Sequence, residues 1–100
     1  MKNPNRDTVS RLDALPNIGR AISTDLIRIN LTHPNQLIGR NAYKLHGELC
    51  TEQGVRVDPC VIDVLLSAID FMEGGEPKPW WHFTDERKWE LDSQELGRVI

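Results

Sequence analysis

One hundred residues with a 39% hydrophobic share make a single domain with a modest core, in which an enzyme with a deep enclosed pocket would be cramped. A formal net charge of −3 argues against a strong, general polyanion binder. Met1-Lys2-Asn3-Pro4-Asn5-Arg6 has no apolar export core, and the longest helix candidate is interrupted by Asp63, Ser67 and Asp70, so a cytoplasmic chain without membrane contact is expected.

In chain order, residues 1–11 form an N-terminal segment that is partly helical, with a short helix expected over Thr8 to Leu12. Leu15-Pro16-Asn17-Ile18-Gly19-Arg20 then reads as a tight turn aimed into a helix N-terminus. Pro16 fixes its own φ and pushes Leu15 toward extended backbone, Asn17 tolerates positive φ, and Gly19 has no Cβ to block an approach. The next helix should run from Gly19 to Ile29, with Ile18, Ile22, Leu26 and Ile29 on its inward face. Thr32-His33-Pro34 opens a brief helix through Leu37-Ile38 that Gly39 ends. Asn41 caps a helix with Ala42, Leu45, His46, Leu49 and Cys50 on one side, and Gly54 closes it. Asp58-Pro59 starts a helix running to about Met72, apolar almost all round except for the stripe Asp63, Ser67, Asp70; this is the expected central helix. Gly74-Gly75 stops it. Pro77 and Pro79 lead into Trp80-Trp81-His82-Phe83, Thr84 caps a last helix, and the residues from Asp92 onward form a tail prone to fraying, with a late capping pair in Asp92-Ser93-Gln94-Glu95. The fold class is all-α: five or six short helices, with a compact domain over residues 12–91 and a tail over 92–100.

The turn resembles that of helix-hairpin-helix proteins, whose motif runs hydrophobic-Gly-hydrophobic-Gly, then a small residue and a Leu; here these last two are Ser23 and Leu26. Asn17 stands for the first glycine and Asn30 for the one that ends the second helix, both mild departures because Asn also adopts the left-handed region. More widely, about Leu12 to Lys88 resembles the bacterial pathogenicity-locus family of small helix-hairpin-helix proteins, often labelled mitomycin-resistance proteins. Leu15 to Gly19, Leu37-Ile38-Gly39-Arg40, Leu49-Cys50, Cys60-Val61 and Pro79-Trp80-Trp81 carry that resemblance. It implies a fold and a nucleic-acid role, not an established activity. Ile18-Gly19-Arg20 recurs as Ile38-Gly39-Arg40; this is either a degenerate second hairpin or chance.

The amides of Ile18 to Ala21 are expected to face outward at the positive end of a helix dipole, where an anion binds. Asn17, Ile18, Gly19, Arg20 and Ala21 are therefore the candidate DNA-phosphate contacts, flanked by Arg28, Arg40 and Lys44; the competing reading is a plain interhelical turn with solvated surface charges. Residues 1–40 hold six basic and three acidic side chains, whereas the remaining sixty are net acidic, which fits a phosphate-binding face on an acidic body. His46, Cys50 and Cys60 lack a fourth ligand for structural zinc, so no metal or cofactor is expected and both cysteines read as buried, reduced thiols. Trp80, Trp81 and Phe83 read more readily as a lid on the core than as a base-stacking platform. The expected function is non-enzymatic, sequence-independent DNA binding that is accessory to DNA processing, with contacts to phosphate and none to base edges. The alternative is a protein-interaction adaptor using the same surface.

Overall fold

The computed structural model describes the backbone of residues 1–99 and the side chains of residues 1–93. Four α-helices, α1 (Arg20–Arg28), α2 (Ala42–Gln53), α3 (Cys60–Met72) and α4 (Thr84–Val99), are joined by 3-10 turns at Leu12–Ala14, Pro34–Leu37 and Trp80–Phe83. No strand occurs among the described residues. The chain is all-helical as expected, but the short helix expected over Thr8 to Leu12 is absent. Asn5 instead turns the backbone, its carbonyl accepting from the Thr8 and Val9 amides, and Leu12–Ala14 makes a single 3-10 turn. The brief helix after His33 is likewise 3-10, closed at its start by a reciprocal cap in which His33 Nδ1 accepts from the Asn35 amide and Gln36 Oε1 from the His33 amide. Segments of three and four residues are too short to propagate an α-helix, so the tighter i→i+3 bond wins.

α3 is the centre of the bundle: nine of its thirteen residues are buried, and α2, α4 and the 3-10 turns at Pro34–Leu37 and Trp80–Phe83 pack around it, while α1 packs on α2 and on the Leu12–Ala14 turn. Its polar stripe is not a solvent face. Asp63 is 0% exposed and receives Arg87 of α4 in a two-pronged pair, Nε to Oδ1 at 2.9 Å and Nη2 to Oδ2 at 3.2 Å. The Thr84 hydroxyl donates to Oδ2 at 2.8 Å. Thr84 therefore does not cap α4 from outside, as expected from sequence; it is the first residue of the helix and helps dock it. The hydrogen bonds it donates to Asp63 are the main reason the Arg87 guanidinium holds its proton even more tightly than usual. Ser67 is also buried, its hydroxyl donating to the Lys78 carbonyl at 2.7 Å, and Lys78 Nζ reaches Asp70 at 3.2 Å.

The backbone of α4 runs on through Asp92 and Ser93, so no new helix begins there; the side chains of Gln94 and Glu95 lie outside the described residues. At the other end of the chain, Arg6 lies across the C-terminus of α3. Its guanidinium donates to the carbonyls of Phe71 and Gly75 and sits 4.9 Å from the Phe71 ring centre, a cation at the negative end of the helix. Among the described residues, Gly75 is the glycine where an added Cβ is crowded, meeting the Asp70 carboxylate.

Candidate nucleic-acid interface

The turn from Leu15 to Gly19 is built from the inside outward. Leu15, Pro16 and Ile18 are buried, each apolar side chain worth about 1.5–3 kcal/mol when fully removed from water. They anchor the loop so that only its far edge meets solvent. Asn17 takes the left-handed conformation (φ 66°), and its side chain turns inward: Nδ2 donates to Ser67 Oγ at 2.9 Å and to the Lys78 carbonyl at 2.7 Å. Asn in place of glycine thus supplies both the backbone conformation and a latch to α3 and the connector beyond it. Beyond α1, Asn30 (φ 68°) closes the helix in a 6→1 arrangement, with the Leu31 amide on the Leu26 carbonyl at 3.0 Å.

The expected run of free amides is displaced by one residue. The Ile18 amide donates to the Leu15 carbonyl at 3.3 Å and is unavailable to a ligand. Gly19 is the N-cap of α1, in extended backbone (φ −100°, ψ −172°), and supplies no side-chain cap. Among the described residues, nothing accepts from the amides of Gly19, Arg20, Ala21 or Ile22. A Cβ at Gly19 would meet no atom within 4 Å, so the space in front of these donors is open, and the backbone angles there suit any residue. What glycine provides at this position is access, not conformational freedom.

Basic groups surround this edge. Arg20 is exposed and makes no ion pair among the described residues. Lys2, which sequence reasoning left unassigned, reaches over from the N-terminal segment: its ammonium donates to the Asp13 carbonyl at 2.6 Å and to the carbonyl of Ile18, the peptide group whose amide end belongs to Gly19. The nearby Asp13 carboxylate is neutralised by a two-pronged pair with Arg11 at 3.0 Å, and that hydrogen bond is the main reason it stays ionised below the usual carboxylate range.

The other expected flanking groups are elsewhere. Arg28 is at the opposite end of α1, about 12 Å along the axis from Arg20, and lies 3.9 Å from Asp25. Arg40 pairs with Glu48 at 3.4 Å, and Lys44 lines an open groove that also contains Glu48 and Glu52.

The turn has a second occurrence, in a register the sequence disguises. Twenty-two residues on, each feature returns: a 3-10 turn starting on a buried residue (Leu12, then Pro34), a left-handed residue (Asn17, then Gly39 at φ 78°), an amide closing the turn (Ile18 to Leu15, then Arg40 to Leu37 at 3.1 Å) and an N-cap (Gly19, then Asn41). The literal repeat Ile-Gly-Arg is spaced by twenty and aligns the wrong glycines. In this second turn two of the four corresponding donors are taken, the Tyr43 and Lys44 amides that stand where Ala21 and Ile22 stand in the first. Asn41 Oδ1 accepts from Tyr43 and Lys44 at 2.9 and 3.2 Å, and Glu73 Oε2 accepts from the Gly39 amide at 2.8 Å.

His46, Cys50 and Cys60 stay structural in their contacts. His46 Nε2 is 2.8 Å from the Val57 carbonyl and Cys50 Sγ accepts from the Val57 amide at 3.3 Å, tying α2 to the loop after it. Both cysteines are free and half-buried; burial first, then the hydrogen bond with Asp58, pushes the Cys60 thiol up. The aromatic lid is a clear correction: Trp80 is 39% exposed and Trp81 65% exposed, because the 3-10 turn that carries them directs Phe83, not the indoles, toward the body.

A compact all-helical domain with an uncapped helix start on a basic edge defines the general class. The family model for the pathogenicity locus, Cdd1, matches residues 5–89, and the chain belongs to that family. It is 40% identical over 79 residues to the mitomycin resistance protein McrB of Streptomyces lavendulae, an alignment spanning 79% of this chain and 75% of that protein. No solved structure matches.

Proposed function

We propose that this chain is a non-enzymatic helix-hairpin-helix module that binds DNA without sequence preference by seating a backbone phosphate on the amides of Gly19, Arg20 and Ala21. The observation that carries the reading is the contrast between two turns of one geometry. The second is capped by its own Asn41 side chain on the Tyr43 and Lys44 amides and bonded by Glu73 at Gly39, whereas the first has no side-chain cap and leaves its donors open beside Lys2 and Arg20. An open helix start with aligned amides and adjacent cations is matched to an oxyanion. The second turn is then a degenerate hairpin that braces the first. Arg28, Arg40 and Lys44 contribute to the field, not to the contact, since each faces a carboxylate.

Such a site holds few phosphates and reads no base, so affinity is weak and falls modestly with salt, as expected for about two to four phosphate contacts. Fluorescence anisotropy against unrelated DNAs at several salt concentrations tests this. Binding at tens of micromolar or weaker near physiological salt, on the order of non-specific binders, is expected, with loss in Arg20→Glu. A folded wild type that binds no DNA at low salt, or an Arg20→Glu variant of unchanged affinity, replaces this reading with a protein-interaction adaptor.

A further inference from the structure

Large apolar side chains left in solvent ask for a partner, and here three indoles are exposed: Trp80, Trp81 and, on α4, Trp89 at 69%. Their settings differ. Trp89 stands among Asp85, Glu86 and Glu90, carboxylates within one helical turn of it. The Trp80-Trp81 segment, from Pro77 to Thr84, itself has no carboxylate; of its ionisable groups Lys78 is paired with Asp70 at 3.2 Å and His82 is exposed, and Asp85 follows Trp81 by one helical turn. Within it Phe83 is already engaged, with the His82 ring edge-on at 5.1 Å and Lys78 Nζ at 6.0 Å from its centre. Among the described residues, neither Trp80 nor Trp81 meets another ring or a cation.

The position of this segment is fixed relative to the phosphate-binding turn. The Lys78 carbonyl accepts from Asn17 at 2.7 Å and from Ser67 at 2.7 Å, so connector and turn are latched by one shared oxygen. Trp80 follows two residues later, which places its backbone within about 7 Å of that oxygen. A strand whose phosphate rests on Gly19 to Ala21 would therefore have its flanking nucleotides within reach of this segment, where Trp81 is 65% and Trp80 39% exposed. In a duplex those bases are paired and stacked on each other and present no free face; in a single strand they do.

We infer that Trp80 and Trp81 are a stacking platform for unpaired bases, making a single strand, or the single-stranded part of a larger DNA, the ligand of this surface. The inference rests on the phosphate-binding reading of the turn. Indole faces accept any base, in keeping with a site that reads no sequence.

The test compares an oligothymidylate with a duplex of the same length, both fluorescein-labelled, on the full chain. The single strand binds more tightly in the wild type, and Trp81→Ala and Trp80→Ala each lower single-strand affinity about five- to a hundredfold while leaving duplex affinity in place. Trp81→Phe keeps most of the binding, and Trp89→Ala changes neither. Quenching of tryptophan emission by the unlabelled oligothymidylate in a Trp89→Phe background reads the same contact without removing either indole. Equal affinities for the two DNAs with unquenched emission overturn the platform and leave the phosphate clamp standing. If the folded wild type binds neither DNA, both readings fall and the indoles mark a protein-docking surface.

Discussion

Replacing Gly19 by Asp separates the stability of this turn from its ligand binding, because it pushes the two in opposite directions. Gly19 already has the extended backbone of an N-cap, and a side chain there meets nothing within 4 Å, so the carboxylate can accept from the Ala21 or Ile22 amide without rearrangement. Relative to glycine, the cap itself contributes a few tenths of a kcal/mol. A negative charge at the positive end of α1 adds about 0.3–1 kcal/mol, and loss of glycine's freedom in the unfolded chain adds about 0.4–1 kcal/mol. Together the folded state gains on the order of 1 kcal/mol, which raises Tm by about 4–8 °C in a domain of this size. The same carboxylate occupies the donors proposed for phosphate and repels it. Losing one charge-assisted contact of about 1.5–3 kcal/mol weakens DNA binding by roughly ten- to a hundredfold. Gly19→Ser, a neutral cap, should raise Tm less and weaken binding less. Thermal melts by circular dichroism and anisotropy titrations on the three proteins decide it. A more stable Gly19→Asp protein that binds DNA as tightly as wild type would refute the claim that these amides are the phosphate site, and a less stable one would refute the N-cap geometry.

Two further perturbations probe the frame that holds the turn. Asp63→Ala leaves the Arg87 guanidinium, 8% exposed, without its counter-charge and should cost about 3–5 kcal/mol in a urea melt, while Asp63→Leu combined with Arg87→Met removes the charge as well and recovers most of that loss; equal destabilisation by the single and double changes would contradict this account. Asp58 Oδ1 accepts from the Cys60 amide at 2.8 Å, and this backbone hydrogen bond is the first cause that holds its carboxyl below the usual range. Its contribution is therefore fully present above the unfolded pKa of about 4 and fades as pH falls through the lower folded value, so the Tm gap between wild type and Asp58→Ala should close on acidification; a gap unchanged down to pH 2 would count against it.

The legible parts of this fold are those where one residue's local chemistry settles the matter. Asn41 caps α2, Gly54 ends it in the left-handed region at φ 69°, and the apolar run after Pro59 is the buried central helix, all as read from the sequence. Errors arose where the answer depends on what the next layer supplies. Thr84 has the side chain of a cap, but its backbone is already helical (φ −62°, ψ −44°) and its hydroxyl donates to the buried Asp63 carboxylate, a contact that only the packing of α3 on α4 brings about. The position and size of the indoles after Pro79 point to a lid on the core, but Phe71 and Met72 are already buried at that end and Arg6, far away in sequence, lies across it. Lys2 at the turn carried no signal beyond its charge.

The most instructive miss is the repeat. Letter identity pairs Gly19 with Gly39, but a turn is defined by its backbone angles, and there Gly39 corresponds to Asn17 while Gly19 corresponds to Asn41. Glycine serves two unrelated needs in this motif, left-handed backbone at one position and an open approach at the other, and Asn can meet the first but abolishes the second by capping the helix itself. Exchanging Gly and Asn between the two positions exchanges an uncapped helix start for one capped by its own side chain. The first copy, with Asn then Gly, leaves the amides of residues 19–22 without an acceptor among the described residues; the second, with Gly then Asn, caps its Tyr43 and Lys44 amides and adds Glu73 on the Gly39 amide. The order of these two residues, not the presence of glycine, separates the open turn from the capped one.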